Sequence, residues 1–474
     1  MTSKDINNEQ FEILPYEPRM IPTRPDKLNG SRTVLISLAF FTVLFAWSFF
    51  NFKVPLLLDE VIGPIPIRDL IKGIVMALDN ILAVFLQPYF GDLSDRTKSK
   101  MGRRMPFILI GTCLSAVFFI IIPWVRILAG LMLIIFFFDL AMSLFRTASI
   151  AILPDYTPEK MYSKASAIQQ FIANIGGLIA FTIPIIIGSL EGTLNPILFD
   201  AIGFAIVGVG MIVLVIIEVL TVKETPTGEK FFQVSDTKIQ IDPVSFRAKQ
   251  SRSKRVESSS IFNSYRDTFK IVGHHKDFAF FLGTVFFMYL AFASIEAFFS
   301  SFAVAYFQIT EGAAGTLFLA YSGPMILSAY FVGLLGQSEK IGRKKAVKIF
   351  LGWLIISVFV MAVFIVPTTY HNYNPMIIII TLVLISIPWM GFIVNSFPIL
   401  WTLAPKEKTG IYTGIYYTFN QAAYSIAPII FGGILSTFNA FGDYRYIILF
   451  PSILILIVVA FLLFFKVKAG ESRK

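Results

Sequence analysis

The sequence predicts an all-α integral membrane protein in which twelve transmembrane helices form two six-helix halves. Composition is the first reason: 56% of the 474 residues are hydrophobic and only 15% are charged, whereas a soluble protein carries about 25% charged residues. The second reason is that apolar runs of about 20 residues, the length that crosses a lipid bilayer, alternate with polar segments. The third is a weak internal repeat, which relates the first six runs to the last six.

Twelve apolar runs are long enough to be spans. They are residues 33–58, 69–91, 105–124, 127–151, 164–189, 199–222, 278–306, 312–337, 346–367, 376–402, 409–437 and 443–466. An even number of spans places both termini on one side of the membrane. The predicted organisation is an N-terminal tail (1–32), a first half (33–222), a linker (223–277), a second half (278–466) and a C-terminal tail (467–474).

Positive charge is concentrated on one side of these spans. The tails, the linker and the loops on their side hold 34 of the 40 lysines and arginines, and the opposite loops hold only Arg68, Lys72, Arg126 and Arg445. Because cytoplasmic loops are enriched in lysine and arginine, we expect both termini in the cytoplasm and the protein in the cell (plasma or inner) membrane. These loops account for the net charge of +10, so no nucleic-acid partner is expected.

Several function classes lack the residues they need. Cys113 is the only cysteine, and the three histidines, His274, His275 and His371, do not have the spacing of metal ligands. The chain has no nucleotide-binding loop and no nucleophile constellation. We therefore expect no metal, no cofactor and no enzymatic activity.

The internal repeat relates loops and spans of the two halves. Gly102 begins a Gly-Arg-Arg triplet, and Gly342 begins Gly-Arg-Lys-Lys at the corresponding place in the second half. Asn174 in span 5 corresponds in the same way to Asn420 in span 11. Parallel repeats of this kind are found in transporters that bind their substrate between the halves, near the bilayer midplane.

The segment between spans 2 and 3 carries the most specific motif. It contains Gly91-x-x-x-Asp95-Arg96, five further residues, and then Gly102-Arg103-Arg104. This motif resembles the signature loop between helices 2 and 3 of the major facilitator superfamily, although there a single residue usually separates the two parts. The longer form resembles the sucrose/proton symporter branch and the related glycoside–pentoside–hexuronide:cation symporters. The resemblance implies the major facilitator fold and the transport of a di- or oligosaccharide glucoside.

The resemblance also implies a mechanical role for this motif. In the superfamily the aspartate faces the start of helix 11, and a carboxylate is favourable at a helix N-terminus. Such a contact would hold the two halves together on the cytoplasmic side. The predicted conformational latch consists of Gly91, Asp95, Arg96, Gly102, Arg103 and Arg104.

Charged side chains inside the spans are candidates for ion coupling, because a charge near the bilayer centre is costly. Asp79 lies in span 2, and Asp139 and Arg146 lie two helical turns apart in span 4, about 10 Å along the axis. The segment from Asp139 to Asp155 resembles span 4 of plant sucrose symporters, and the resemblance assigns the proton site to Asp139. Sodium-coupled melibiose-type symporters carry an Asp-Pro pair in span 2 that this chain lacks, so we expect protons. The alternative is that these groups tie neighbouring helices together.

Amides and aromatic rings inside the spans are candidates for the sugar site, because rings stack on a pyranose and amides bond its hydroxyls. Tyr412, Tyr416 and Asn420 recur every four residues in span 11, although an aromatic stripe also serves helix packing. The segment around Glu296 resembles span 7 of bacterial relatives of the sucrose symporters. The predicted substrate-binding residues are Trp47, Asn51, Gln169, Gln170, Asn174, Glu296, Trp389, Asn395, Tyr412, Tyr416, Asn420 and Gln421.

The sequence therefore favours a secondary active transporter, a monomer that moves a sugar together with protons by alternating access. One alternative is an exporter of hydrophobic or cationic small molecules on the same fold, for which we expect an apolar cavity with an acidic trap. Another is a non-transporting sugar sensor that signals through the linker. Fold alone does not decide between them.

Overall fold

The computed structural model describes residues 28, 30–97, 99, 101–157, 161–222, 275–404 and 409–468. The N-terminal tail up to residue 27, the linker up to residue 274 and the last six residues lie outside this range. The described residues form twelve long helices. They are α1 (Gly30–Ile62), α2 (Arg68–Arg96), α3 (Met105–Ile121), α4 (Leu128–Tyr156), α5 (Tyr162–Ile187), α6 (Pro196–Thr221), α7 (Lys276–Ser301), α8 (Glu311–Gln337), α9 (Gly342–Val360), α10 (Pro375–Leu403), α11 (Thr409–Thr437) and α12 (Leu449–Phe465).

Short helical turns extend several of these helices. They are Ile122–Trp124 after α3, Gly188–Leu190 after α5, Phe302–Tyr306 after α7, Met361–Ile365 and Val366–Thr368 after α9, and Asn439–Ile448 before α12. Each predicted span coincides with one helix to within a few residues. The predicted all-α fold is confirmed.

Two of the helices are more polar than the other ten. Ten described helices are long and apolar enough to cross a membrane; α2 and α11 are as long, at 29 residues each, but carry more polar side chains. These two helices pack along each other between the halves. Their polar groups therefore have a protein interior to face, where they avoid the cost of exposure to lipid.

The same helix contacts recur in α1–α6 and in α7–α12. Helix α1 packs on α5 as α7 packs on α11, α3 packs on α6 as α9 packs on α12, and α2 packs on α4 as α8 packs on α10. Between the halves, α2 packs on α11 and α5 packs on α8, so the second helix of each half meets the fifth helix of the other. Two parallel repeats related by an axis along the membrane normal produce this pattern, and the predicted two-half arrangement is confirmed.

Candidate functional site

The two halves are closed against each other at one end of the bundle. We call the end at which α1 begins and α12 ends the terminal side, and the opposite end the distal side. At the distal ends of α2 and α11 the backbones nearly touch: a Cβ on Gly73 would lie 2.0 Å from the Pro428 carbonyl oxygen, and a Cβ on Gly432 would lie 2.2 Å from the Asp69 carbonyl oxygen. Only glycine permits such an approach.

Two groups of buried ion pairs join the halves on this distal side. In the first gate cluster, Arg445 before α12 donates to the Asp69 carboxylate at 2.7 Å, and these side chains are only 2% and 1% exposed. Lys72 donates to Asp59 at 2.8 Å and to Ser301 of α7 at 2.9 Å. Each half thus supplies charged or polar groups that the other half satisfies.

The second gate cluster lies between α1, α6 and α8. Lys53 pairs with Asp200 at 2.6 Å and also with Glu311, the first residue of α8. Arg126 donates to Asp200 at 2.5 Å, and the Glu191 carboxylate accepts from the backbone N–H of Glu311 at 3.0 Å. The position of Lys53 suggests a side chain that reaches the membrane surface, but the structure buries it in this network instead.

A cavity of 370 Å³ lies between the halves at the middle of the bundle. Its volume is within the range of small-molecule sites. The residues that line it are Phe40, Val43, Leu44, Trp47, Asn51, Met76, Asp79, Asn80, Arg146, Tyr289, Ala293, Glu296, Ala297, Tyr417, Asn420, Gln421, Tyr424 and Pro428. Four amides and five aromatic rings are among them.

The cavity extends toward the terminal side. Tyr417, on the terminal half of α11, lines it and is 57% exposed. One turn earlier on the same helix, Gly414 faces open space. Because the distal side is closed by backbone contacts and ion pairs, the structure is the terminal-side-open state of the bundle.

Hydrogen bonds join the halves at the level of the cavity in a reciprocal way. Asn51 of α1 donates to the Glu296 carboxylate of α7 at 2.7 Å. In the opposite direction, Gln421 of α11 donates to the Asn80 side-chain oxygen at 2.6 Å, and Asn80 donates to the neighbouring Asp79 carboxylate at 2.6 Å. The Glu296 carboxylate therefore accepts a hydrogen bond directly from the other half, whereas the Asp79 carboxylate is linked to the other half through the Asn80 amide.

Three carboxylates and one guanidinium lie within electrostatic range at the cavity. Asp79 and Glu296 both interact with Arg146, but no residue in the described part of the chain forms a hydrogen bond or a close ion pair with the Arg146 side chain. Its donors are available inside the cavity. Carboxylates therefore outnumber cations here, and they cannot all be charged without repelling one another.

Asp139 is the third of these carboxylates and lies behind the cavity wall. Its side chain is 1% exposed, and neither of its carboxylate oxygens has a hydrogen-bond partner among the described residues. It lies close enough to Asp79 for the two carboxylates to interact electrostatically. A charged carboxylate with no partner is costly to bury.

Seven of the twelve predicted substrate-binding residues lie away from the cavity lining. In α5, Gln169 is buried and donates to the Ser149 carbonyl, whereas Gln170 is exposed and reaches Asn174. Asn395 of α10 donates to the carbonyls of Val332 and Gly391. These amides are satisfied within their own half.

Aromatic candidates in the second half lie just behind the lining. Trp389 stacks on Phe292 with 4.6 Å between ring centroids and also contacts Tyr289, which lines the cavity. The Tyr416 hydroxyl lies 3.4 Å from that of Tyr289. Tyr412 packs on α7 at the terminal side and is buried. Trp389 and Tyr416 therefore support a ring that lines the cavity.

The predicted latch residues form ion pairs on the terminal side. Arg104 pairs with Asp95 and with Asp155, and Arg103 donates to Asp155 at 2.5 Å. Arg96 pairs with Asp92 one turn before it, at 2.9 Å. Gly91 lies within α2, and Gly102 has a positive φ of 94°, which favours glycine. Residues 405–408, which precede the start of α11, lie outside the described part of the chain.

Sequence reasoning did not select several groups that the structure places at the cavity or the distal gate. Asn80 and Tyr417 directly follow the predicted site residues Asp79 and Tyr416 in the sequence. Tyr289 lies seven residues before Glu296, which places both on one face of α7. The predicted site could therefore have been extended along this face from Glu296 to Tyr289. The ion pairs that join the halves in the two gate clusters were not predicted, because Lys53 and Glu311, or Asp69 and Arg445, are far apart in the sequence.

Comparison with known proteins identifies the class of the chain. Residues 36–428 and 281–474 match the Major Facilitator Superfamily, and the chain belongs to this family. No curated protein matches the sequence significantly. The chain is therefore a multi-pass membrane protein with the fold of this transporter superfamily.

Solved transporters share this fold. A bacterial homolog of the human lysosomal transporter Spinster, in an inward-facing and unoccupied conformation, has a TM-score of 0.67 at 14% identity, with 93% of this chain and 97% of that chain covered. The nucleoside transporter NupG has a TM-score of 0.67 at 13% identity (92% and 100% covered). The xylose transporter XylE from E. coli, inward open, has a TM-score of 0.64 at 13% identity (94% and 97% covered).

Proposed function

We propose that the protein is a secondary active transporter of the cell membrane that carries a sugar, a di- or oligosaccharide glucoside, together with protons. The observation that carries the coupling is Asp139, a buried carboxylate without a hydrogen-bond partner among the described residues and within electrostatic range of Asp79. The chemistry of the cavity lining supports the sugar.

The lining combines the two kinds of group that a sugar needs. Asn51, Asn80, Asn420 and Gln421 offer amide donors and acceptors, and the rings of Trp47, Tyr289, Tyr417 and Tyr424 offer flat apolar faces. The indole N–H of Trp47 has no partner among the described residues. Hydroxyls of a pyranose can engage the amides while its C–H face packs on a ring.

Charge at the cavity supports coupling to protons. One guanidinium, Arg146, lies among the carboxylates of Asp79, Asp139 and Glu296. Removing the charge of one carboxylate by protonation relieves the repulsion without any metal or cofactor. We propose Asp139 as the coupling site, with Asp79 transmitting its state to the cavity and Arg146 holding the remaining negative charge.

The direction of the open side follows from the distribution of basic residues. Because lysine and arginine accumulate on the terminal side, we assign that side to the cytoplasm, and the structure is then the inward-facing state. In the outward-facing state the distal gate opens, and the motif around Asp95 and Arg104 holds the terminal side closed. Since one chain encloses the whole cavity, we propose that a monomer is sufficient.

A second candidate is favoured by the excess of carboxylates at the cavity. An exporter of cationic compounds would use Glu296 and Asp79 to bind the positive charge, and three carboxylates for one guanidinium suit such a substrate. The amides count against it, because an apolar cation leaves their hydrogen bonds unsatisfied.

Uptake into proteoliposomes tests these proposals. Radiolabelled sucrose, maltose and a β-glucoside are offered under an inward proton gradient, an inward sodium gradient, or neither. We expect accumulation of one sugar with the proton gradient alone, and loss of that accumulation in Asp139→Asn. The matched control is Glu218→Gln, which changes another buried carboxylate in a span that does not line the cavity, and it should transport normally. Proton-driven efflux of a cationic dye with no sugar uptake would instead establish the exporter.

A further inference from the structure

We propose that the terminal ends of α9 and α12 form a binding site for an anionic phospholipid of the surrounding bilayer. The cations that bind its headgroup, which we call the basic cluster, are Arg343, Lys345 and Lys348 of α9 and Lys466, which follows the last residue of α12. None of them lines the central cavity. The inference therefore does not depend on the substrate or on proton coupling.

The internal repeat shows how the basic residues of the two halves differ. The loops after α2 and α8 both turn through a glycine with a positive φ, 94° at Gly102 and 69° at Gly342. In the first half, Arg103 and Arg104 follow this turn and pair with carboxylates of α2 and α4. In the second half no described carboxylate, including the exposed Glu339 of the same loop, forms an ion pair with the basic cluster. The cluster therefore keeps its charge for a group outside the chain.

Two lysines of the basic cluster lie over aromatic rings at the end of the bundle. The Lys348 ammonium is 4.5 Å from the centre of the Phe465 ring, and the Lys466 ammonium is 5.4 Å from the centre of the Phe280 ring in α7. A ring face attracts a cation without neutralising its charge. The rings thus position both ammonium groups and leave them able to bind an anion, and Lys345 beside them is exposed.

Apolar surface that faces the lipid begins directly below the basic cluster. Phe465 is the last residue of an apolar span and is 52% exposed, and Leu462 and Ile455 on the same face of α12 are 58% and 64% exposed. An anion held by the cluster is therefore at the level where headgroups meet hydrocarbon. This position selects the phosphate of a lipid, whose acyl chains continue along the helix, over a free phosphate ion.

The adjoining face of α9 leaves room for an acyl chain. Gly352 lies one turn further into the span than Lys348, on the same helical face, and a Cβ there would meet nothing within 4 Å. Ile349 and Ile356, on the neighbouring face, are exposed. A chain that descends from the basic cluster can lie over Gly352, against apolar side chains of both α9 and α12.

The charge of the basic cluster selects an anionic headgroup. The planar guanidinium of Arg343 matches two oxygens of a phosphodiester, and the lysine ammonium groups act as point charges beside it. A zwitterionic headgroup carries an additional cation, which the cluster repels, whereas phosphatidylglycerol does not. Each basic residue at a membrane surface strengthens the binding of anionic lipid by about fivefold.

Quenching by lipids with brominated acyl chains tests this inference. A bimane fluorophore on Leu462→Cys, in a Cys113→Ser background, reports the lipid next to the basic cluster. The full-length protein is reconstituted in phosphatidylcholine vesicles with a minor fraction of brominated phosphatidylglycerol, or with the same fraction of brominated phosphatidylcholine. The reference position is Ile217→Cys, which is exposed near the terminal end of α6, the first-half counterpart of α12. Because the bromine is on the acyl chain, free phosphate cannot produce the signal.

We expect brominated phosphatidylglycerol to quench Leu462→Cys more strongly than brominated phosphatidylcholine does, with a much smaller difference at Ile217→Cys. Combining Lys345→Gln with Lys348→Gln should weaken the binding of phosphatidylglycerol at Leu462→Cys by at least about fivefold. Combining Lys345→Arg with Lys348→Arg should preserve it. Equal quenching by the two lipids at Leu462→Cys, an equal or larger difference at Ile217→Cys, or an undiminished difference in the glutamine variant would overturn the proposal.

Discussion

Neutralising Asp69 should shift the protein toward its distal-open state. In the structure Asp69 and Arg445 form a buried ion pair that joins the two halves, with 2.7 Å between nitrogen and oxygen. The substitution Asp69→Asn keeps the size of the side chain and removes its charge. The lost attraction exists only when the distal side is closed, because Asp69 and Arg445 are on opposite halves. The interaction of Asp69 with Lys72 is within one half and cancels between the two states.

The free-energy cost of this substitution depends on the partners that Arg445 retains. Leaving a buried charge without its partner costs about 3–5 kcal/mol, but Arg445 keeps a carbonyl at 2.7 Å and the partly exposed Asp443 at 3.6 Å. We therefore expect a cost at or below the lower limit of this range, in the upper part of the range for charged hydrogen bonds, about 2–3 kcal/mol. That corresponds to an increase of about 30- to 150-fold in the ratio of distal-open to distal-closed molecules.

Maleimide labelling measures this ratio. Ser300 is fully buried on the α7 face that lines the cavity further along, so Ser300→Cys in a Cys113→Ser background reacts from the distal side only when the gate opens. Asp69→Asn should accelerate the reaction by the factor above. The control Asp443→Asn removes a carboxylate that is 45% exposed and 3.6 Å from Arg445, and should change it less than about fivefold. Equal rates in both variants would refute the gate assignment.

Three further predictions concern the cavity and the helix interfaces. Glu296→Gln weakens a charged hydrogen bond from Asn51 and the bonds offered to substrate, so the KM for sugar uptake should rise about five- to tenfold; an unchanged KM would exclude Glu296 from the site. Gly73→Ala places a methyl group against the Pro428 carbonyl and should increase distal labelling, and no increase would contradict the tight closure. Asn395→Leu removes two buried hydrogen bonds, so it should lower the unfolding free energy by about 1–3 kcal/mol and the melting temperature, with KM unaffected.

The architecture could be predicted from the sequence because it depends on local patterns. The lengths of the apolar runs predicted all twelve helices. These include α2 and α11, whose polar residues make them less hydrophobic than the ten helices that are apolar enough to cross a membrane. Those two helices can be polar because they pack on each other between the halves. The internal repeat predicted the two-half arrangement because it, too, is visible in short local segments of the sequence.

The cavity could be predicted only in part. Asn51, Asp79 and Glu296 were predicted as site residues because polar groups inside a span are costly. The structure brings all three to one cavity. On α11, the predicted stripe contained Tyr412 and Tyr416, but both pack against α7. Asn420 of the same stripe does line the cavity, beside Tyr417 and Gln421, so the lining face is rotated relative to the tyrosine part of the stripe.

This rotation is not encoded locally. Tyr416 and Tyr417 are adjacent and chemically identical, and which of them meets the cavity depends on how α11 is turned against α2 and α7. The gate clusters were beyond sequence reasoning for a related reason. Lys53 and Glu311, or Asp69 and Arg445, are separated by more than half of the chain, and only the assembled bundle brings them together.

Transport by Asp139→Asn is the most direct test of proton coupling in this protein. Asparagine keeps the shape of the side chain but cannot take up and release a proton, so coupling should be lost while substrate binding and the movement of the halves remain. We predict that proteoliposomes with Asp139→Asn fail to accumulate the sugar under an inward proton gradient, yet exchange internal for external sugar at a rate close to that of the unchanged protein. Accumulation equal to that of the unchanged protein would contradict the account.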